Sequence, residues 1–377
     1  MNRKALFFVF AVGVLILLLW FTRKIPYCGW DFHNSLWGPV NMLINYQTPY
    51  TFDTPYGPYP GVWMPTTLGM FFLFGYISCD IASKLWLLAE LAGFVWVIWM
   101  IADYKMPSRW VFFICVFVLF FFPPLWLHIR LGQFSMLFVV LMVVGIYLPM
   151  AERFLPLLLV LGLTKPQLAI LVFPGLLIYV WRKKGFRQVL KLVLVTGICA
   201  GLLTVPLFLY YPGWVNDFLF VTFDNLGVGW DLPTLFVQLP FLLGNAGYAV
   251  WGLTLLAAMG ISFWFWYHKD AKIALIISLA ATPMVTPYAS SWDFLLLMPG
   301  FFWLIIKLKS KAARVALLLG MAIIIVVQIA QLWRQDYPDG RQWWIPPLMI
   351  LIYLISLLIE YSIVKITKTQ LLQKAAP

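Results

Sequence analysis

The chain alternates long apolar runs with short polar or proline-bearing turns. A helix needs about 20 apolar residues to cross a hydrocarbon core, so the pattern predicts a bundle of membrane helices. Twelve crossings are predicted, with both termini cytoplasmic: 5–22, 84–101, 110–127, 134–149, 154–163, 167–181, 189–207, 248–267, 272–286, 294–306, 313–332 and 345–364. The apolar piece 65–78 is too short to span and is predicted as a helix lying at the outer surface. A second surface helix is expected at Pro233 to Leu243, inside a long outer loop, 208–247. The first outer loop runs over 23–64, and the chain reads as one domain over residues 1–377.

Charge placement supports this topology. Of the 26 basic residues, 19 fall on the predicted cytoplasmic side, among them Arg153, Lys183, Lys184, Lys191, Lys272 and Lys307; a wrong number of crossings would scramble that bias. The chain is 63% hydrophobic and 11% charged, which excludes an ordinary soluble domain. Its net charge of +12 comes mostly from these loop residues and does not imply a nucleic-acid partner. Ala5 to Trp20 follows Arg3-Lys4 without a small-residue cleavage site, so it reads as a retained first helix. The four cysteines lack CxxC spacing and the three histidines are scattered, so no metal site is expected. Cys28 and Cys79 fall on the same predicted face and could pair; Cys115 and Cys199 read as core residues.

Crossings 154–163 and 167–181 are each too short to span alone. They share the elbow Thr164-Lys165-Pro166-Gln167, which sets Lys165 at membrane depth. Irregular backbone at that depth is tolerated where it lines a cavity or is buried in protein. The same topology brings other polar groups to the outer side: Asp31, His33 and Tyr59 from the first loop, Arg130 and Gln133, Asp217, Asp224 and Asp231, and Asp293 beside Ser290 and Ser291.

Asp31 lies just past the first membrane helix, where a carboxylate is costly unless it meets water, a partner or a substrate. One carboxylate with one or two cations suits transfer of a sugar from a lipid phosphate. The departing phosphate needs positive charge, which Lys165 and Arg130 supply, and the acceptor hydroxyl needs a base, which Asp31 supplies. Each residue also has a plainer reading. Asp31 could cap a loop helix, Lys165 could snorkel, Arg130 could anchor an interface, Gln133 could pair helices, and Asp293 could be a helix N-cap. His33 and His128 read as structural. Asp80, Asp336 and Asp339 read as solvated loop residues, and Glu90 has no obvious partner.

Five segments together resemble a known family: Asp31 after the first helix; Gln47-Thr48-Pro49-Tyr50 with Tyr59-Pro60; Leu131-Gly132-Gln133; Thr164-Lys165-Pro166; and Thr286-Pro287-Tyr288 before Ser291-Trp292-Asp293. They resemble the GT-C superfamily, and within it the glycosyltransferase 87 family, which includes alpha-mannosyltransferases using polyprenyl-phosphate-mannose. The resemblance implies an all-α integral membrane fold and an inverting, metal-independent hexose transfer on the extracytoplasmic side of the cell membrane. The first-loop Asp would be the base. The implied partners are a polyprenyl-phosphate-sugar donor, a glycolipid or glycan acceptor and membrane lipid, with no cofactor. Lys165 and Arg130 would hold the donor phosphate, and His33, Gln133, Tyr59 and Asp293 would contact substrate. Family members can carry a His near the turn where this chain has Trp292-Asp293, which leaves the acceptor contacts and the sugar open. A transporter or flippase of a lipid-linked sugar would use the same cavity and cations, but no clear inverted repeat supports it.

Overall fold

The computed structural model describes residues 28–51, 64–104, 108–225, 231–333 and 339–375. The expected first crossing, 5–22, and Tyr59 lie outside the described residues. Every regular element among those described is helical. The first-loop segment forms a π-helical turn, Phe32–Trp37, that runs into α1 (Gly38–Ile44). There follow α2 (Pro65–Phe71), α3 (Cys79–Ile101), α4 (Arg109–Phe121), α5 (Pro123–Leu131), α6 (Ser135–Tyr147), α7 (Leu155–Gly162) and α8 (Val172–Lys184). The remainder are α9 (Phe186–Tyr210), α10 (Trp214–Asn225), α11 (Leu235–Leu243), α12 (Asn245–His268), α13 (Ala271–Val285), α14 (Met298–Lys307), α15 (Lys311–Trp333) and α16 (Ile345–Ala375).

Among the described residues, five helices are long and apolar enough to cross a membrane: α3, α9, α12, α15 and α16 with the residues just before it. They coincide with five of the twelve expected crossings. A sixth arises if α4 and α5 are counted as one bent span. Here the expectation of one helix over 110–127 is corrected. Pro123 and Pro124 cannot donate to the preceding turn, so α4 ends at Phe121, and α5 restarts at an angle of 61° and continues to Leu131. The helices α6, α7, α8, α13 and α14 are each too short to cross alone.

The outer flanks of α9, α12 and α15 expose large apolar side chains, Leu194, Leu256 and Ile323 among them, as expected where lipid replaces water. The helix expected over 65–78 forms as α2 and a 3₁₀ turn, Phe72–Tyr76, but α2 is also packed onto α9. Gly69 permits this, because a Cβ there would lie 1.6 Å from the carbonyl oxygen of Leu203. The surface helix expected at 233–243 forms as α11, and α10 adds a helix to the same loop. Thr48 Oγ1 donates to Asp217 Oδ2 at 2.6 Å and Tyr50 packs on Phe218, so the long loop is fastened to the first one.

The two ends of the bundle differ in charge. At one end Asp103 accepts from Lys272 Nζ at 2.9 Å and from Lys307 Nζ at 2.7 Å. These ammonium groups hold its carboxyl below the usual range. Three turns that the sequence assigns to one side of the membrane are thereby joined. The polar residues assigned to the other side meet at the opposite end of α6 and α8.

Candidate active site

Asp31 is placed by what surrounds it in sequence. Its neighbour Phe32 is fully buried and packs on Phe71 and Trp86, and Trp86 stacks on Phe134. This aromatic cluster fastens the π-helical turn to α3 and to the start of α6. A disulfide joins Cys28 to Cys79 at the N-terminus of α3, with Cα atoms 6.1 Å apart. Asp31 is therefore clamped on both sides and is only 7% exposed.

Gln133 arrives from the end of α5. Gly132 adopts the left-handed conformation (φ +71°) and donates its N–H to the His128 carbonyl at 2.8 Å, a helix-ending turn that suits glycine. A Cβ at Gly132 would lie 2.5 Å from the Cβ of Phe32, so the turn also needs glycine for close approach. The reversal points Gln133 at Asp31, and Nε2 of Gln133 donates to Asp31 Oδ2. The main-chain oxygen of Gln133 accepts from Trp86 Nε1 at 3.3 Å, which fixes the residue from behind.

Lys165 enters through the elbow between α7 and the 3₁₀ turn Pro166–Ala169. A residue before proline is pushed out of helical geometry, and Lys165 sits at φ −127°, ψ 76°. It is 7% exposed. Its Nζ donates to Gln133 Oε1 at 2.7 Å and Asp293 Oδ1 at 2.9 Å, with Ser135 Oγ at 3.4 Å. Asp293 belongs to a helix cap, though as the third residue of the capping box and not as the N-cap, which is Ser290. Its Oδ2 accepts the Ser290 N–H at 3.0 Å in a capping box that starts the 3₁₀ segment Ser291–Leu297, and its Oδ1 accepts from Lys165 and from Ser135 Oγ.

The result is a continuous chain, Asp31–Gln133–Lys165–Asp293, drawn from four separate parts of the sequence. Burial pushes the Asp31 carboxyl up from 3.8 to about 6, and the Lys165 charge and the Gln133 hydrogen bond restrain the rise. A carboxylate in that range is mostly ionised at neutral pH yet more basic than an exposed one. That is the profile of a general base.

The remaining expected site residues are placed differently. His33 is half-buried on the π-helical turn, where it stacks on Trp37 and bonds Asn34 Oδ1 at 2.7 Å. Arg130 is exposed in the last turn of α5, three residues before Gln133. The side chain of Asp224, like Tyr59, lies outside the described residues. Asp231 accepts from Gln238 at 3.2 Å.

Asp339 is a correction. It is not a solvated loop residue: both its oxygens accept the Ser291 N–H at 3.2 Å, beside Asp293 at the same 3₁₀ N-terminus. No sequence signal pointed to it or to Ser135. Glu90 does have partners. Its Oε2 meets His128 Nε2 at 3.0 Å and its Oε1 accepts the Leu137 N–H at 3.3 Å, in the first turn of α6. It thus ties α3, α5 and α6 beneath the Gly132 turn. Two titratable residues inside apolar helices should seek each other, so this pair could have been read from sequence. Among the described residues, no three or more His, Cys, Asp or Glu side chains form a group able to hold a metal ion.

Against known proteins, the family model of glycosyltransferase family 87 matches residues 62–291. The match covers Arg130, Gln133 and Lys165; Asp31 precedes it and Asp293 follows it. No curated protein and no solved structure matches the chain.

Proposed function

The chain belongs to glycosyltransferase family 87, and from that premise we propose that it transfers a hexose, mannose in the first instance, from a polyprenyl-phosphate donor to an acceptor hydroxyl. The acceptor belongs to a glycolipid or glycan. Asp31 removes the hydroxyl proton as the acceptor oxygen attacks the anomeric carbon. The bond from that carbon to the phosphate oxygen breaks, polyprenyl phosphate leaves with the electron pair, and the configuration inverts. The observation that carries this reading is the buried Asp31 carboxylate, raised to about 6 and linked through Gln133 to a buried lysine.

The donor phosphate falls chiefly to Arg130, which is exposed close to Gln133 in sequence. Lys165 already faces three acceptors of the chain itself. Its charge favours the departing phosphate at short range, and the long contact to Ser135 is the one a phosphate oxygen would displace. Gln133 and Asp293 border the acceptor, with His33 and Tyr59 as further substrate contacts. No cofactor is required, since a lipid phosphate is already a good leaving group.

We place the site on the extracytoplasmic side of a multi-pass protein of the cell membrane, with both termini cytoplasmic. The charge bias of the loops supports this sidedness, and so does the Cys28–Cys79 disulfide, a bond that persists in oxidising compartments.

The test is transfer of radiolabelled mannose from polyprenyl-phosphate-mannose into lipids and glycans, in membranes with equal amounts of wild type or Asp31→Asn. Incorporation by wild type that is lost in the variant is the expected result. Equal incorporation in both would remove Asp31 as base. Movement of the lipid-linked sugar across vesicles by both proteins, without transfer, would identify a flippase instead.

A further inference from the structure

About 20 Å from the Asp31–Asp293 cluster, at the far ends of α6 and α8 (13 residues each), lies a cavity. Its volume is about 370 Å³. The end of α6, the 3₁₀ turn Pro149–Arg153, the start of α7, the last turns of α8 and the first turns of α9 line it. Four basic residues from three separate elements border it: Arg153, Lys183, Lys184 and Lys191. Glu152 is the one carboxylate among its lining residues, and it pairs with Lys184 at 2.7 Å. The cavity therefore keeps a net positive charge of about three. The remaining wall is largely apolar, with Leu155, Leu176, Val180, Leu192 and Val195.

Two plainer readings fall short. Basic residues in the last turn of a helix complement its dipole, which suits Lys183, Lys184 and, at the end of a single 3₁₀ turn, Arg153, but not Lys191, which lies near the start of α9. Loop cations that fix topology need no cavity. This cavity is both charged and walled with hydrocarbon. It also adjoins α9, whose outer face exposes Leu190, Val193 and Leu194. A ligand here must offer an anion to the basic rim and a chain to the apolar wall.

We propose that this cavity binds the phosphate headgroup of an anionic membrane phospholipid, with its first methylenes against the apolar wall. On the proposed topology this is the cytoplasmic leaflet, where anionic lipid attracts clustered Lys and Arg. The inference does not rest on the proposed transfer reaction.

The test uses the full-length protein purified in detergent, with lipid retention measured by native mass spectrometry. Wild type is expected to retain phosphatidylglycerol at least about tenfold over phosphatidylcholine. Arg153→Gln/Lys183→Gln/Lys191→Gln is expected to lose that preference, and Lys309→Gln/Lys311→Gln, basic residues outside the cavity, to keep it. Equal retention of the two lipids by wild type, or an undiminished preference in the triple variant, overturns the proposal. Binding of free glycerol phosphate as tight as that of phosphatidylglycerol replaces the lipid with a soluble ligand and overturns it likewise. If the triple variant does not fold, wild type decides: added phosphatidylglycerol must raise its melting temperature where phosphatidylcholine does not, and equal effects sink the idea.

Discussion

Asp31 Oδ2 accepts a hydrogen bond from Gln133 Nε2. The other end of the same amide accepts from Lys165 Nζ at 2.7 Å. An amide can do both at once, which a carboxylate or an ammonium cannot. It therefore orients the proposed base and transmits the lysine to it without neutralising it by direct contact.

If Asp31 is the base, its carboxyl, raised to about 6, should set the acidic limb of activity. A base works only when ionised, so kcat/KM should rise with pH through about 6 and then level off. Lys165 lowers this value and Asp293 raises it, so the two variants should shift the limb in opposite directions. Lys165→Gln should move it to higher pH and Asp293→Asn to lower pH. A pH profile of sugar transfer by each variant checks both signs. Limbs moving the same way would show that the carboxylate being titrated is not Asp31.

The same carboxylate should cost stability. Its folded value lies above the unfolded value of 3.8, so the native state binds the proton more tightly. The contribution of this group is then greatest below pH 4 and is lost as pH rises through 6, by up to about 3 kcal/mol for two pK units. Asp31→Asn removes this term. It should melt higher than wild type at pH 7.5, with the difference shrinking toward pH 4. Melting curves of both proteins across that range test the claim, and they also show that the inactive variant is folded.

Gln133→Leu should lower kcat by about 10- to 100-fold, the worth of one hydrogen bond to a charged group. It should also move the acidic limb upward, because Asp31 loses a donor that favours its ionised form. Gln133→Glu should move the limb further, since it sets a like charge against Asp31. Kinetics with unchanged limbs in both variants would reduce Gln133 to a packing residue.

Much of this was legible in sequence, for reasons that differ by residue. Spans such as 189–207 and 313–332 are apolar runs long enough to announce themselves. The Thr164-Lys165-Pro166 elbow was readable because proline disfavours a helix at the residue before it and two short apolar runs flank it. The partners of Lys165 were not readable, since Ser135 and Asp293 lie 30 and 128 residues away and only tertiary packing brings them in. Asp339 was misread because a surface-like sequence, Asp336 to Gly340, gives no sign that its carboxylate caps Ser291. The break at Pro123 was underweighted: the apolar run continues past it, and hydropathy does not register a missing N–H.

Gly132 is expected to tolerate no side chain. Alanine there would take a left-handed backbone at a cost of about 1 kcal/mol and would also strike the Cβ of Phe32. Because Phe32 adjoins Asp31, the displacement should reach the proposed base directly. Gly132→Ala should reduce transfer at least about tenfold, a misplacement effect, while remaining in the membrane. Gly260→Ala is the control: nothing lies within 4 Å of that Cβ, and the helix should gain slightly. Similar activity in both variants would mean that the Gly132 turn does not set the site.

The Cys28–Cys79 bond holds the first-loop turn to α3 across a sequence separation of 51 residues. Closing a loop of that length is worth about 4 kcal/mol in the chain-entropy account. A membrane already confines the unfolded chain, so the effect here should be smaller, about 2 kcal/mol. Cys28→Ser/Cys79→Ser should therefore melt several degrees lower than wild type. Transfer should be weakened rather than abolished, because the Phe32–Phe71–Trp86 cluster still packs the Asp31 turn. The acidic limb should stay near 6, since neither sulfur touches the titrating group in the network described. Reductant added to wild type should reproduce the double variant and have no further effect on it. Thiol alkylation of unreduced, denatured wild type should then label Cys115 and Cys199 only. Labelling of all four cysteines would show that the bond does not form, and would remove the support it lends to an oxidising, extracytoplasmic site.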